Sequence, residues 1–408
     1  MSLPSHRAAV FLGTLLVTLA AGAHAAAPKA YVGNFNDNTV SVIDTAAGQV
    51  IATVPVAPGP HGMATTPDGR LVYVSSDAAS VVSVIDTASD KVARTIEVGR
   101  TPHGLAMTPD GKLVIVGVYG EDRLAFVDAG TQAIVGTVGV PKPHTVAVRP
   151  DGKLAYVASQ EPGNFALVVV DLATRAVVRK VALPKPPRDP EFGNDGKALY
   201  FTMAGSNAVQ VLDPETDKIV AEIPTGASPH IAAWFRGAPV GTVVVQGPGE
   251  ILLFDPSTNA AKRSITVGKQ PHWISAAPDG KTVYVTNEGS NDVSVVDLQS
   301  GATKTIAVGN GPRKVIVQRV AAGTAGGKVS IANFAFSPAE LVVRPGDAVT
   351  WSNDDGAPHG LAFSDGARGT GQLLPGASFS RTYDHAGIFD YVCAVHPYMT
   401  GKVIVRAP

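Results

Sequence analysis

Cysteine is nearly missing from this chain: Cys393 is the only one among 408 residues. A single cysteine excludes an internal disulfide and leaves three roles, a bridge between chains, a free thiol or a metal ligand. Charge is scarce too, at 16% of residues, and its signs nearly cancel, with 33 Lys and Arg against 34 Asp and Glu. No basic stripe and no block of like charge is present, which argues against nucleic acid as a partner and against a charged interaction tail. Helical periodicity is absent throughout. Beyond the N-terminal stretch no run is long and apolar enough to span a bilayer, so no stable membrane span is expected. What is plentiful is apolar side chain, at 45% of residues, which suits a large core and not a disordered chain.

The N-terminus reads as a secretory signal over residues 1–25. His6 and Arg7 precede an apolar stretch from Ala8 to Ala21, and Ala23-His24-Ala25 offers a small-residue cleavage site. The mature protein is therefore expected in the periplasm or outside the cell.

Internal repetition dominates residues 26–319. A Pro-His-Gly-like segment recurs with His61, His103, His144, Arg188, His230, His272 and Arg313 at the equivalent position, spaced by 42, 41, 44, 42, 42 and 41 residues. A second series keeps the same beat, apolar runs that end in Asp44, Asp86, Asp128, Asp171, Asp213, Asp255 and Asp297. Short β-rich runs with evenly spaced turns predict four strands per repeat, as in Leu71–Ser75, Val81–Ile85 and Val92–Val98 after a Pro-His strand. Seven such units of about forty residues make a propeller. The chain opens with the second, third and fourth strands of one blade, Tyr31–Val56, and ends with a first strand, Lys314–Gln318. Pairing those ends would close the ring and remove its free edges.

Residues 320–328 are rich in Ala and Gly and read as a linker. Residues 329–408 alternate again, with candidate strands at Val329–Phe334, Glu340–Val343, Ala348–Ser352, Ser378–Tyr383, Gly387–Val392 and Gly401–Val405, an antiparallel sandwich in outline. This segment carries Cys393-Ala394-Val395-His396-Pro397-Tyr398-Met399, with His359 upstream. Thiolate, two imidazoles and a thioether form the ligand set of a type 1 (blue) copper centre, because soft sulfur selects copper. The expected ligands are His359, Cys393, His396 and Met399.

The residues also carry family resemblances. Tyr284-Val285-Thr286-Asn287, preceded by Pro278-Asp279-Gly280-Lys281, resembles the YVTN family of β-propellers, with looser copies at Tyr73–Ser76 and Tyr156–Ser159. The tail resembles the plastocyanin/azurin family, and amicyanins within it, through Cys-x-x-His-Pro-Tyr-Met and through Pro345–Trp351 ahead of Pro358-His359. That likeness implies electron exchange at the edge of His396, ringed by Pro397 and Tyr398. Gly360 departs from the family, which usually places Asn after the first histidine. A binuclear copper centre needs a second Cys where Pro397 stands, which rules it out. The order of domains is similar to that of nitrous oxide reductases, but five ring histidines and one cysteine do not carry that activity over. The expected fold is thus all-β, a seven-bladed β-propeller followed by a cupredoxin β-sandwich.

The repeat position should place His61, His103, His144, His230, His272, Arg188 and Arg313 around one mouth of the central channel. Three roles compete there: imidazoles bonded to neighbouring carbonyls, a second metal site, or an anion pocket built with the two arginines. Acidic turns at Asp37, Asp77, Glu121, Asp122, Glu161, Glu250 and Asp292 should share that mouth. Three functions follow from these readings. The first is a blue-copper electron-transfer protein whose propeller docks a redox partner protein. The second is a copper oxidoreductase with a small-molecule or anion substrate at the mouth. The third is a copper carrier or storage protein.

Overall fold

The computed structural model describes residues 28–318, 327–343, 347–367, 369–383 and 387–405. The expected leader, most of the linker and His385 lie outside these residues. Among them are nine four-stranded sheets, and the only helix is a 3-10 turn at Tyr119–Glu121.

Seven of the sheets are the blades of a propeller. In six of them the strands run outward from the channel in chain order, as in Pro60–Thr65, Leu71–Ser76, Val81–Asp86 and Lys91–Glu97. The seventh joins the two ends of the region: Pro312–Val317 pairs antiparallel with Lys29–Asn34, and Val315 lies opposite Val32. This is the ring closure that the sequence implies. Blades stack face to face, so the second strands are buried on both sides and read as unbroken apolar runs, while the outermost strands are largely exposed. The aspartates that end the third strands each fold the following turn. Asp44 Oδ1 accepts the amides of Ala46 and Ala47, both at 2.9 Å, and Asp297 Oδ1 accepts those of Gln299 and Ser300.

The inner strands share one irregularity that matters for function. The register slips just after the Pro-His pair, between Pro60 and Met63, Pro102 and Leu105, Pro143 and Val146, and Pro229 and Ala232. The residue before each proline has positive φ, 73° at Gly59, 52° at Thr101, 40° at Lys142 and 60° at Ser228. A bulge of this kind re-aims a side chain, and here it turns the histidines towards one another.

The second unit is a sandwich of two four-stranded sheets around Trp351, Phe336, Tyr391 and Val403. Two expectations need correction. The sandwich is mixed, since Lys328–Ala332 runs parallel to Asp347–Asn353, and Glu340–Val343 parallel to Thr400–Val405. The chain switches sheets between these partners, so they are not joined as hairpins. The run Val329–Phe334 is not one strand. Asn333 and Phe334 hold φ of 52° and 55° and turn it back into Ala335–Ser337, and a further short strand at Leu361–Phe363 pairs with Gly387–Cys393.

Candidate functional site

Strand Gly387–Cys393 ends in the cysteine, and the turn that follows is held by its own backbone. Cys393 donates its amide to the Met399 carbonyl at 3.0 Å, and the Met399 amide donates to the His396 carbonyl at 2.9 Å. Ala394 donates to the carbonyl of Gly360 at 3.0 Å, which ties this turn to the His359 segment. Gly360 leaves no room for a larger residue: a Cβ there would lie 2.5 Å from the carbonyl oxygen of Gly371. On the other side, buried Asn353 donates from Nδ2 to the carbonyls of Ala357 at 2.9 Å and Leu373 at 2.8 Å, fixing the loop that carries His359.

These restraints bring three donor atoms together. Cys393 Sγ lies 3.5 Å from His359 Nδ1 and 3.6 Å from His396 Nδ1, and the two nitrogens are 3.3 Å apart. A point in their plane lies about 2 Å from all three, the bond length of an imidazole–metal contact. His359, Cys393 and Met399 are buried, whereas His396 keeps an exposed edge. The His396 amide also donates to Cys393 Sγ at 3.3 Å, which helps to hold the sulfur in place. The donor set and its spacing fit a copper ion.

Sequence reasoning missed two residues here. Asp355 accepts the Nε2–H of His359 at 3.0 Å, which leaves Nδ1 as the lone-pair atom facing Cys393. The same carboxylate accepts the amides of Asn333 at 2.8 Å and Phe334 at 2.9 Å. These backbone bonds, with the His359 contact, hold Asp355 below the ordinary carboxylate range. They also set the Phe334 ring against both histidines, with centroids 5.4 Å from His359 and 5.0 Å from His396. Only a left-handed turn at Asn333-Phe334 allows this, and no spacing rule announces it.

In the propeller, the five histidines do gather at one mouth. Neighbouring rings pack at centroid separations of 3.9 Å for His61–His103, 4.1 Å for His103–His144 and 4.0 Å for His230–His272, and His61 lies 6.0 Å from His272. The glycine after His61 permits this crowding, because a Cβ on Gly62 would stand 2.4 Å from the His103 carbonyl oxygen. Two imidazoles use Nδ1 on a neighbouring carbonyl, His103 on His144 and His272 on Arg313, both at 2.9 Å. Arg313 is committed to Glu288 at 3.0 Å and stacks on Phe35, and Arg188 occupies the equivalent place on its own inner strand. Burial pushes all five imidazoles below their ordinary range, His103 to about 4 and His272 to about 3. They are neutral at neutral pH and offer lone pairs, not charge.

Most acidic turns around the mouth are occupied. Asp37 binds Asn310, Glu121 binds Arg123 and Asp122 binds Lys142. Asp77 differs, with Oδ1 buried and without a hydrogen-bond partner and Oδ2 3.7 Å from His103 Nε2. Desolvation raises its carboxyl to about 7. Below the ring the channel opens into a cavity of about 770 Å³ lined by inner strands, among them Glu191, Trp273 and Lys314.

Fold and site together define a class: a β-propeller joined to a cupredoxin with a copper-type donor set. Comparison with known proteins agrees on both halves. Residues 14–107 match the YNCE-like β-propeller family, and residues 324–406 match the copper binding proteins of the plastocyanin/azurin family. The tail is 35% identical over 96 residues to amicyanin-alpha of Methylorubrum extorquens, covering 22% of this chain and 78% of that protein. It is 39% identical over 83 residues to amicyanin of Paracoccus denitrificans, where 19% of this chain spans 63% of that protein's length. Through this domain the chain belongs to the plastocyanin/azurin family of copper-binding proteins. The propeller is similar in fold to Kuenenia stuttgartiensis hydrazine synthase, with a TM-score of 0.61 and 22% identity over 65% of this chain and 91% of that one. Apo AztD from Citrobacter koseri is a second fold neighbour, with a TM-score of 0.54 and 16% identity over 71% of this chain and 97% of that one.

Proposed function

We propose that this chain is an exported blue-copper electron-transfer protein, with His359, Cys393, His396 and Met399 holding one copper ion and the propeller serving as a docking scaffold. The observation that carries the reading is the triangle of Cys393 Sγ, His359 Nδ1 and His396 Nδ1, with sides of 3.3 to 3.6 Å. Copper bound there supplies a one-electron couple. The protein's part is rigidity: the Cys393–Met399 bond and the Asn353 clamp hold the donors in place, so little rearranges when the charge changes. His396 reaches the surface among Phe334, Val395 and Tyr398, which are 44%, 42% and 71% exposed. An apolar rim around one exposed imidazole edge suits brief contact with a redox partner protein. The secretory reading of residues 1–25 supports export, and none of the described helices is long and apolar enough to cross a membrane.

Voltammetry of the copper-loaded full chain tests the reading. A reversible one-electron wave is expected, lost in Cys393→Ser. Copper that binds without a reversible couple would favour carriage or storage instead.

A further inference from the structure

The structure of the propeller mouth carries a second inference, independent of the blue-copper reading. It starts from hydrogen-bond roles at His103. The His144 carbonyl can only accept, so His103 Nδ1, at 2.9 Å from it, must be the donor. A neutral His103 therefore turns the Nε2 lone pair towards Asp77 Oδ2, 3.7 Å away. With Asp77 ionised, two acceptors face each other across a largely buried gap, at 13% and 17% side-chain exposure. The separation is too long for a hydrogen bond. Two ligands of one tetrahedral ion, each about 2.1 Å from it, lie about 3.4 Å apart. His61 completes a set in which the ligand atoms of all three residues lie within 4.8 Å of one another.

We propose that His61, Asp77 and His103 bind a divalent first-row ion, zinc or copper(II), at the propeller mouth. Two imidazoles and a carboxylate suit such an ion and leave a coordination position for water or a small molecule. What sets this edge of the ring apart is the third ligand: Asp189 also lies 3.1 Å from His230 with its Oδ2 buried, but no third group joins that pair among the described residues. Asp77 Oδ1 is buried without a partner, a cost that bound positive charge relieves. The His103 bond to a backbone carbonyl is the contact that fixes tautomer and orientation in metal-ligating histidines. The comparable pair at His272 is already neutralised, since Glu288 lies 4.0 Å from His272 Nε2 but is bound by Arg313 at 3.0 Å. His144 and His230 fall outside the set.

The test uses the full chain with the tail centre silenced by Cys393→Ser and His396→Ala, so that a failure here leaves the blue-copper reading untouched. Zinc alone is the probe, followed by equilibrium dialysis with mass spectrometry and by thermal unfolding. One zinc per chain is expected, with a zinc-dependent rise in Tm. Asp77→Asn, which preserves shape, should weaken binding at least tenfold, and so should His103→Gln. Failure to take up zinc by the folded double variant overturns the proposal. So does uptake that neither Asp77→Asn nor His103→Gln weakens, which would mark adventitious binding elsewhere on the chain.

Discussion

Replacing Asp355 by Asn probes how the protein tunes its copper ligand. The carboxylate accepts three hydrogen bonds, from His359 Nε2 and from the amides of Asn333 and Phe334. An asparagine offers one oxygen and one NH₂, so at least one of those donors meets another donor. If the oxygen keeps the Oδ2 position, it holds His359 and the Phe334 amide while the Asn333 amide faces the NH₂. If it takes the Oδ1 position, His359 and Phe334 both lose their acceptor. In either case the imidazole loses a neighbouring negative charge, which favours the more highly charged copper(II). Loss of such a partner costs roughly 10- to 100-fold in metal affinity. If copper(I) binding is unchanged, a tenfold loss of copper(II) affinity raises the one-electron potential by about 59 mV, so a rise of about 60–120 mV is expected. Competition with a chelator gives the affinity and voltammetry the potential, with the Tm of the metal-free protein as a folding control. A variant that keeps both its affinity within twofold and its potential within about 20 mV would refute the role assigned to Asp355.

Other outcomes follow from the packing and titration of the two domains. Gly62→Ala places a methyl 2.4 Å from the His103 carbonyl oxygen; it should destabilise the propeller by about 1–3 kcal/mol, and a loss below about 0.5 kcal/mol in denaturant unfolding would contradict the close approach. Trp351, fully buried against Phe363, Phe379 and Tyr391, should cost about 3–5 kcal/mol on replacement by Ala, seen as early melting of the tail domain. The pH dependence of the metal-free propeller has a definite sign. Five imidazoles sit below 6.5 in the folded state, so the unfolded chain binds more protons and stability falls as pH drops through 6.5 towards 4. Asp77 and Asp189, both raised to about 7, oppose this with fewer groups. A Tm that rises between pH 7 and pH 5 would show that the histidines are not buried as described.

What was legible in the sequence is what repeats or lies close along the chain. The Pro-His beat gave the blade count, and the unmatched strands at Tyr31–Val56 and Lys314–Gln318 gave the ring closure, because a propeller cannot leave both unpaired. Cys393, His396 and Met399 share one turn, so their spacing alone announced a ligand loop. Contacts made through space stayed hidden. Asp77 meets His103 only because adjacent blades converge at the channel mouth, and in the sequence it is one acidic turn among seven. Asp355 and Phe334 reach the His359 side of the centre through a left-handed turn at Asn333, a conformation neither residue signals. The parallel pairing within the sandwich was equally invisible, since alternation reports which face is buried but not which strand lies alongside.

Titration of the metal-free full chain with copper(II), followed by visible absorption, bears most directly on the tail centre. The intense copper–thiolate band should saturate within two equivalents, since the propeller site can also take copper(II), and be absent in Cys393→Ser. A chain that binds copper but develops no such band, or keeps it without Cys393, would contradict the blue-copper reading.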